Sequence, residues 1–321
     1  MKNLFKLQKL SLILSLFILL SSCNSDDEVT APVDNSITGL ALKTKELSFL
    51  VQALQRAELA TTLQASGTYT VFAPTNAAFD AFLKTTTYAT INDVPKEALT
   101  QILLNHVIST KLMASDLNSG YIKTLATGTA SSTNPLSMYV NTSAGVKLNG
   151  VSTVQTPNIM ASNGVIHIVD KVIGLPTVVT HAVANPNFSS LVGALTSKDQ
   201  PDFVSILSGT GAFTVFAPTN AAFTALNTEL APEGTAGVSA ENLTKVLLYH
   251  VVSPANVLAA TLTEGQVVTP ILDPAQTFTI KLAGGARITD ANDRTSNIVL
   301  TDVQCSNGVI HALDKVLLPI L

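Results

Sequence analysis

Four of the five histidines could take part in chemistry, because they form two pairs at equal spacing. His106 and His250 lie 144 residues apart, and so do His167 and His311. Histidine serves as a general base or as a metal ligand. A zinc site needs three or four ligands, however, and each half of the chain offers only two of these histidines and no cysteine pair. Since their neighbours are apolar, we interpret them as hydrogen-bonded core residues that join a helix end to a buried strand.

Two carboxylates follow histidines at a fixed distance. Asp170 and Asp314 each lie three positions after His167 or His311, which on a strand places the two side chains on opposite faces. We therefore expect each carboxylate to accept hydrogen bonds at the end of its strand. A polysaccharide hydrolase would need two exposed carboxylates about 5 to 10 Å apart, and no such pair, phosphate loop or glycine-flanked serine is recognisable. The sequence predicts a protein that is not an enzyme, with no cofactor and no bound metal.

A third acidic group could bind calcium. Asp290, Asn292 and Asp293 supply oxygen ligands, but the glutamate that completes a helix-loop-helix calcium site does not follow them. A polar hairpin turn is the interpretation that we prefer, with calcium as the alternative.

Cys23 is a candidate for covalent modification. Three lysines precede the apolar run Leu10–Leu20, which is typical of a secretory signal and shorter than the roughly 20 residues of a spanning helix. The run ends in Leu-Ser-Ser-Cys and so resembles the lipobox of bacterial lipoproteins, whose cysteine is acylated. This predicts a signal peptide at 1–22 and a lipidated Cys23; an ordinary secretory peptide with a chance cysteine is the alternative. Cys305 then has no partner and should pack as a small buried apolar residue.

The segment 23–36 has the composition of a flexible tether. Its acidic cluster, Asp26 to Glu28, resembles an export signal of some Gram-negative surface lipoproteins, and a plain solvated linker is the alternative. We expect a lipid-anchored protein of the outer membrane that faces the cell surface. Removal of 1–22 leaves 15 basic and 22 acidic residues, a formal charge of −7, which excludes a nucleic-acid-binding surface.

An internal repeat determines the architecture. The sequence TVFAPTNAAF occurs at 70–79 and again at 214–223, and NGVIHIVDKVI at 163–173 returns as NGVIHALDKVL at 307–317. This period is much longer than that of a solenoid repeat, so each copy should be a complete domain. We place the domains at 37–176 and 177–321, and the short junction between them favours a fixed angle.

Each copy begins with helical periodicity and ends with alternation typical of strands. Leu99–Ile108 has apolar residues on one helical face, Val71–Ala73 is a short strand, and Val165–Val169 is apolar throughout and should be buried on both faces. Helices followed by strands predict an α+β fold.

Capping explains the polar residues of the first repeated motif. Thr75 or Asn76 is a plausible N-cap for the helix that follows, and Thr219 and Asn220 occupy the same positions in the second copy. We interpret all four as residues of the fold.

These motifs together resemble the fasciclin domain family over residues 37–321. TVFAPTN with the following Ala and Phe is similar to the family's first signature, NGVIH with a following Asp to its second, and Tyr249 with His250 to its central motif. The resemblance implies two tandem domains, each a wedge of two β-sheets with flanking helices. It also implies a role in adhesion or in matrix and surface binding, without a known cofactor or catalytic centre.

Two departures from the family pattern affect the candidate site. Asn105 stands where the family usually has Tyr. In adhesion proteins of the family, an Asp followed by Ile before NGVIH has been tied to integrin binding. The first copy has Asn158 and Ile159 in this frame, and the second has Asp302 and Val303. These four are the candidate ligand-binding residues, with Asp302 favoured because this type of recognition needs a carboxylate.

The function expected from these observations is that of a surface-anchored adhesion or ligand-binding lipoprotein. Its partners would be an extracellular protein or glycan, and the membrane through the lipid anchor. The alternative is a structural or accessory lipoprotein that faces the periplasm and partners a membrane complex.

Overall fold

The structure is a computed structural model that describes residues 33–321. The predicted signal peptide, Cys23 and most of the predicted tether lie outside the described residues. Ser36, the last residue of that tether, is buried and accepts the N–H of Gly39 at 3.1 Å as the N-cap of the first helix. None of the helices within 33–321 is long and apolar enough to cross a membrane.

The first copy contains five helices and seven strands. Its helices are α1 (Ile37–Lys43), α2 (Ser48–Arg56), α3 (Ala60–Gln64), α4 (Asn76–Leu83) and α5 (Lys96–Leu104), with 3-10 turns at Lys45–Leu47 and Ile91–Asp93. Its strands are β1 (Tyr69–Pro74), β2 (Val107–Ile108), β3 (Gly120–Lys123), β4 (Ser137–Asn141), β5 (Lys147–Leu148), β6 (Ser152–Ala161) and β7 (Gly164–Val169).

The second copy repeats this order. Its helices are α6 (Val178–Ala184), α7 (Ser189–Leu195), α8 (Phe203–Ser208), α9 (Asn220–Glu229) and α10 (Ala240–Tyr249), with 3-10 turns at Pro186–Phe188, Gly234–Gly237 and Ala259–Thr261. Its strands are β8 (Phe213–Pro218), β9 (Val251–Val252), β10 (Val267–Val268), β11 (Phe278–Lys281), β12 (Arg287–Thr289), β13 (Thr295–Cys305) and β14 (Gly308–Leu313).

Each copy forms its own seven-stranded arrangement. The strand orders are β2-β1-β7-β6-β5-β4-β3 and β10-β11-β12-β13-β14-β8-β9, in which only β1 with β7 and β8 with β14 run parallel. The long strand β6 pairs with β5 at its start and with β7 over the rest, so it joins the two sheets of the wedge, and β13 does the same in the second copy. The predicted α+β fold is confirmed.

The repeated glycines allow the parallel strands to meet. A Cβ atom on Gly164 would lie 2.1 Å from the carbonyl oxygen of Tyr69, and one on Gly308 would lie 2.1 Å from that of Phe213. Both strands that begin at these glycines are buried along their whole length, as the sequence predicts for β7. A glycine at this position therefore belongs to the close packing at the centre of each sheet.

The helix prediction for Leu99–Ile108 is wrong at its end. Helix α5 stops at Leu104, and Val107 and Ile108 pair with β1 as strand β2. Both are β-branched and buried, so pairing with an existing strand outweighs the helical periodicity that continues through them.

The two copies dock through strands β4 and β13. Ser137 Oγ accepts the backbone N–H of Gln304 at 3.0 Å, and Lys123 Nζ donates to the backbone carbonyl of Asp302 at 2.9 Å. These contacts were not predicted from the sequence. The one visible signal is the change from Met160 in the first copy to Gln304 at the same position of the second, and in the structure Met160 is exposed whereas Gln304 is buried.

A loop of the first copy also packs against Ser306. The carbonyl of Ser306 accepts the N–H of Ala130 at 2.9 Å and the hydroxyl of Thr129 at 3.0 Å. The N–H of Ser306 donates to the carbonyl of Pro176, in the junction, at 2.7 Å. A Cβ on Gly128 would lie 2.4 Å from the Ser306 Cα. Residues Asp34–Leu321 accordingly form one compact unit.

Aromatic residues complete this interface. The Tyr121 ring lies 5.0 Å from that of Tyr139 and 5.3 Å from the imidazole of His181, and its hydroxyl accepts the amide N–H of Asn185 at 3.2 Å. Among the described residues, neither ring nitrogen of His181 has a well-aligned hydrogen-bond partner, although the Ser137 backbone lies close enough to raise its pKa against the larger effect of burial. Burial lowers the pKa of His181 to about 3, so it is neutral at physiological pH.

Candidate functional site

The candidate ligand-binding residues lie at matching irregularities in β6 and β13. The pairing register of β6 shifts between Thr156 and Ile159, and that of β13 shifts between Leu300 and Val303. Asn158 has φ 65° and Asp302 has φ 58°. Asn and Asp are the non-glycine residues that best tolerate this left-handed conformation, which explains the residue types at both bulges.

The side chains of both bulge residues have the same structural role. Asn158 Oδ1 accepts the backbone N–H of Ala114, and Asp302 Oδ1 accepts that of Ala259, each at 2.8 Å. Because an amide oxygen and a carboxylate oxygen can make the same bond, the change from Asp to Asn between the copies leaves the fold intact and alters only the charge.

A buried histidine lies beneath each bulge. His167 Nδ1 accepts the N–H of Asn158 at 3.2 Å and Nε2 donates to a loop carbonyl at 2.9 Å; in His311 the corresponding distances are 3.4 Å to Asp302 and 2.8 Å. Burial lowers the pKa of both histidines. Each is therefore a neutral ring whose two nitrogens join the bulge to the neighbouring loop.

The other histidine pair has the opposite tautomer. Nδ1 donates to the helix carbonyl four residues earlier, at 2.8 Å in His106 and 2.7 Å in His250, and Nε2 accepts the N–H of Ile173 or Leu317 at 2.9 Å. Burial lowers the pKa of each to about 4. These bonds join the end of α5 or α10 to the segment that follows the last strand.

The residue before this histidine differs between the copies in its contacts. The Tyr249 hydroxyl donates to the Thr277 carbonyl at 2.7 Å and accepts the N–H of Ala291 at 3.1 Å, and burial raises its pKa to about 12. Asn105 is shorter and donates instead to the carbonyl of Gly174 at 3.0 Å, while its Oδ1 has no partner. Tyr249 is thus hydrogen-bonded to residues next to β11 and β12, whereas Asn105 is hydrogen-bonded to the junction between the domains.

The repeated Thr and Asn of the first motif cap and fasten helices. Thr75 and Thr219 are the N-caps of α4 and α9. Asn76 and Asn220 lie one residue later, and the Oδ1 of each accepts a backbone N–H at 2.9 Å, from Phe49 of α2 in the first copy and from Ser190 of α7 in the second.

The remaining acidic candidates make structural bonds. Asp170 accepts the N–H of Thr153, and Asp314 accepts that of Asn297, each at 2.7 Å. Asp290 is buried, accepts two N–H groups of its own turn and pairs with Arg294 at 3.3 Å, which fits the polar hairpin turn. Within the described part of the chain, no group of three or more His, Cys, Asp or Glu residues could hold a metal ion.

The four candidate binding residues differ in how far their side chains are exposed to solvent. Asn158 is exposed, whereas Ile159 and Asp302 are half-buried. Val303 is 1% exposed and packs in the core of the second copy, which corrects its assignment as a contact residue. Beside Asp302 the chain exposes Thr301 and the apolar residues Val299 and Leu300, the last two at 56% and 36%.

The fold and its two bulged strands define a class of protein with two tandem α+β domains docked as a pair. The family model described as the fasciclin domain matches residues 45–176 and 186–319, and the chain therefore belongs to the fasciclin-domain family.

Two relatives and one solved structure are similar to this chain. Protein sll1483 of Synechocystis is 39% identical over 143 residues, 44% of this chain and 73% of that protein. Human periostin is 30% identical over 272 residues, 80% of this chain but only 29% of periostin. A FAS1 domain pair from the insect cell adhesion molecule fasciclin I superposes with a TM-score of 0.53 at 20% identity, over 87% of this chain and 97% of the pair. At that identity, the structural likeness concerns the fold alone.

Proposed function

We propose that the chain is a non-catalytic adhesion or ligand-binding lipoprotein that recognises an extracellular protein or glycan through its second fasciclin domain. The observation that carries this proposal is the surface strip Val299, Leu300 and Asp302 (the β13 strip), which presents exposed apolar side chains next to an acid. Exposed apolar groups next to a charged group are suited to a partner that buries the former and pairs with the latter.

The hydrogen bonds of the four repeated histidines argue against a role for them as general bases. The ring nitrogens of His106, His167, His250 and His311 all make hydrogen bonds to backbone groups. A general base must have a free nitrogen within reach of a substrate, and the backbone partners occupy these positions.

The binding test uses residues 24–321, which lack the lipidated Cys23 and keep both domains together with their shared interface. We would measure retention on immobilised glycans and matrix proteins for the wild type, for Asp302→Asn and for the double variant Val299→Ser with Leu300→Ser. Binding through the β13 strip should fall at least tenfold in both variants, since each removes one half of the contact.

A matched control comes from the same domain. Val267 on β10 is 63% exposed and lies outside the strip, so Val267→Ser should bind like the wild type. Equal binding by all variants, or no binding by the wild type to any surface, would contradict the proposal.

The proposed anchor is a lipid on Cys23, with the protein at the cell surface. The Leu-Ser-Ser-Cys sequence supports acylation, and the acidic residues after it support export. The wild type should be found in the outer-membrane fraction and be degraded when protease is added to intact cells, whereas Cys23→Ser should leave the membrane fraction. Protection from protease in intact cells would favour a periplasm-facing accessory protein.

A further inference from the structure

The second domain contains a cavity of about 350 Å³ between helices α7, α9 and α10 and the C-terminal residues. Its walls include Ser190, Phe223, Leu226, Thr235 and Leu243, and no Asp, Glu, Lys or Arg lines it. His250 also contributes to the wall, but both of its ring nitrogens are bonded to backbone groups.

The first domain carries larger apolar side chains at two positions equivalent to residues of the cavity wall. Phe49 occupies the position of Ser190, and this register is secure because the N–H of each donates to the matching Asn76 or Asn220 at 2.9 Å. Ile91, which is buried, likewise occupies the position of Thr235. At these two positions of the cavity wall, the second domain therefore lacks a phenyl ring and a branched aliphatic group that the first domain has.

The exposure of the wall shows that solvent reaches this space. Phe79 and Leu99 are each 1% exposed in the first domain, whereas their counterparts Phe223 and Leu243 are only half-buried. The first domain also has one continuous apolar core around these positions, while in the second the residues around Leu226 form a separate cluster. The cavity is thus an opening into the core of the second domain.

We infer that this cavity binds a compact, uncharged ligand that carries an aromatic ring and a short aliphatic group. Such a ligand replaces the two side chains that the first domain supplies, and the lack of charged wall residues disfavours an ionised group. The volume is about twice the ~150 Å³ of a cavity known to hold one benzene ring, which leaves room for the aliphatic part. This site is separate from the β13 strip.

The test uses n-butylbenzene as the probe with residues 24–321, because this molecule joins a phenyl ring to a four-carbon chain. Binding is followed by calorimetry and by the shift in unfolding temperature, which must rise with probe concentration if the folded state binds it. The double variant Ser190→Phe with Thr235→Ile restores the side chains of the first domain. It should bind the probe at least tenfold more weakly and unfold at a higher temperature than the wild type without the probe.

Thr228→Ile is the matched control, because Thr228 is exposed on α9 and does not line the cavity. It should bind the probe like the wild type. No binding by the wild type up to the solubility of the probe would overturn the inference, and so would equal binding by the double variant. If the double variant does not fold, Thr235→Ile alone should still weaken binding at least threefold, and unchanged binding would overturn the inference.

Discussion

At the scale of single residues, the bulges show how one position can serve both the fold and a partner. Asn158 and Asp302 make the same bond to a loop N–H, but only Asp302 is charged, and it is half-buried close to Lys123 of the first copy. Both residues could be singled out from the sequence, because they stand at the position before NGVIH at which adhesion proteins of the family have Asp followed by Ile. The sequence does not show that the bond to the loop uses one oxygen of each, since that depends on the left-handed backbone.

Substitution of Asp302 should separate these two roles. We expect Asp302→Asn to retain the wild-type free energy of unfolding to within about 0.5 kcal/mol, because the amide keeps the bond to Ala259. Asp302→Ala should lose about 1 to 2 kcal/mol, because it leaves that N–H without its partner and because alanine tolerates the left-handed backbone less well than Asp or Asn. Urea denaturation at pH 7 measures both, and Asn158→Ala in the first domain should show a similar loss. Equal losses for Asp302→Asn and Asp302→Ala would be incompatible with this role.

The buried histidines should make the protein sensitive to acid. The pKa of His106 and of His250 falls to about 4 on folding, so the unfolded chain binds protons first as the pH decreases. Their contribution to stability is complete above the unfolded pKa of about 6.5 and is lost as the pH falls towards 4, on the order of 2 to 3 kcal/mol for each histidine. Urea titrations at pH 8 and pH 5 should show this decrease.

His181→Phe provides the control for this pH dependence. Apart from a poorly aligned contact with the Ser137 backbone, the ring of His181 makes no hydrogen bond that the substitution would break, and a phenyl ring has a similar shape. The variant should lose less stability than the wild type between pH 8 and pH 5. A free energy of unfolding that does not change over this range would contradict the assignment of neutral, buried rings.

At the scale of elements, periodicity predicts the helices better than the short strands. Helix α5 and the buried strand β7 follow from the apolar pattern, but β2 does not, because Val107 and Ile108 continue a helical face and become a strand only through pairing with β1. The pattern describes one segment at a time. The partner that decides the outcome is more than 30 residues away.

The close approach of parallel strands gives a prediction at this scale. Gly308→Ala should lower the free energy of unfolding by about 3 kcal/mol or more, because its Cβ would meet the Phe213 carbonyl in a packed sheet. Gly193→Ala is the comparison: it lies within α7, its Cβ would meet nothing within 4 Å, and it should add about 0.5 to 1 kcal/mol. Thermal and urea unfolding measure both, and a harmless Gly308→Ala would refute the explanation.

At the scale of the whole molecule, the repeat predicts two domains but not how they dock. The two copies share their motifs, whereas the interface joins non-equivalent surfaces, β4 of the first copy and β13 of the second. The repeat does not predict the cavity either, because the cavity arises where aligned residues differ, as Phe49 and Ser190 do. The residues that the two copies share predict the fold, whereas the residues that differ between them form the interface and the cavity.

Gly128 tests the docked arrangement. Gly128→Val should separate the domains, because the new side chain would collide with the backbone of Ser306. We expect a larger radius of gyration in solution scattering and faster proteolysis at the junction, with circular dichroism unchanged. Gly174→Ala, with open space at its Cβ, should match the wild type. An unchanged radius for Gly128→Val would mean that the interface does not hold the domains together.

The position of the last strand has a consequence for folding during synthesis. In each copy the strand made last, β7 or β14, lies inside the sheet with a strand on each side, and Tyr69 pairs with Gly164, which lies 95 positions later in the chain. A nascent copy has no central strand to pair with until almost all of it has been translated. Contacts so distant in sequence form slowly, so each copy should stay unfolded through most of its synthesis and then close in a single late step.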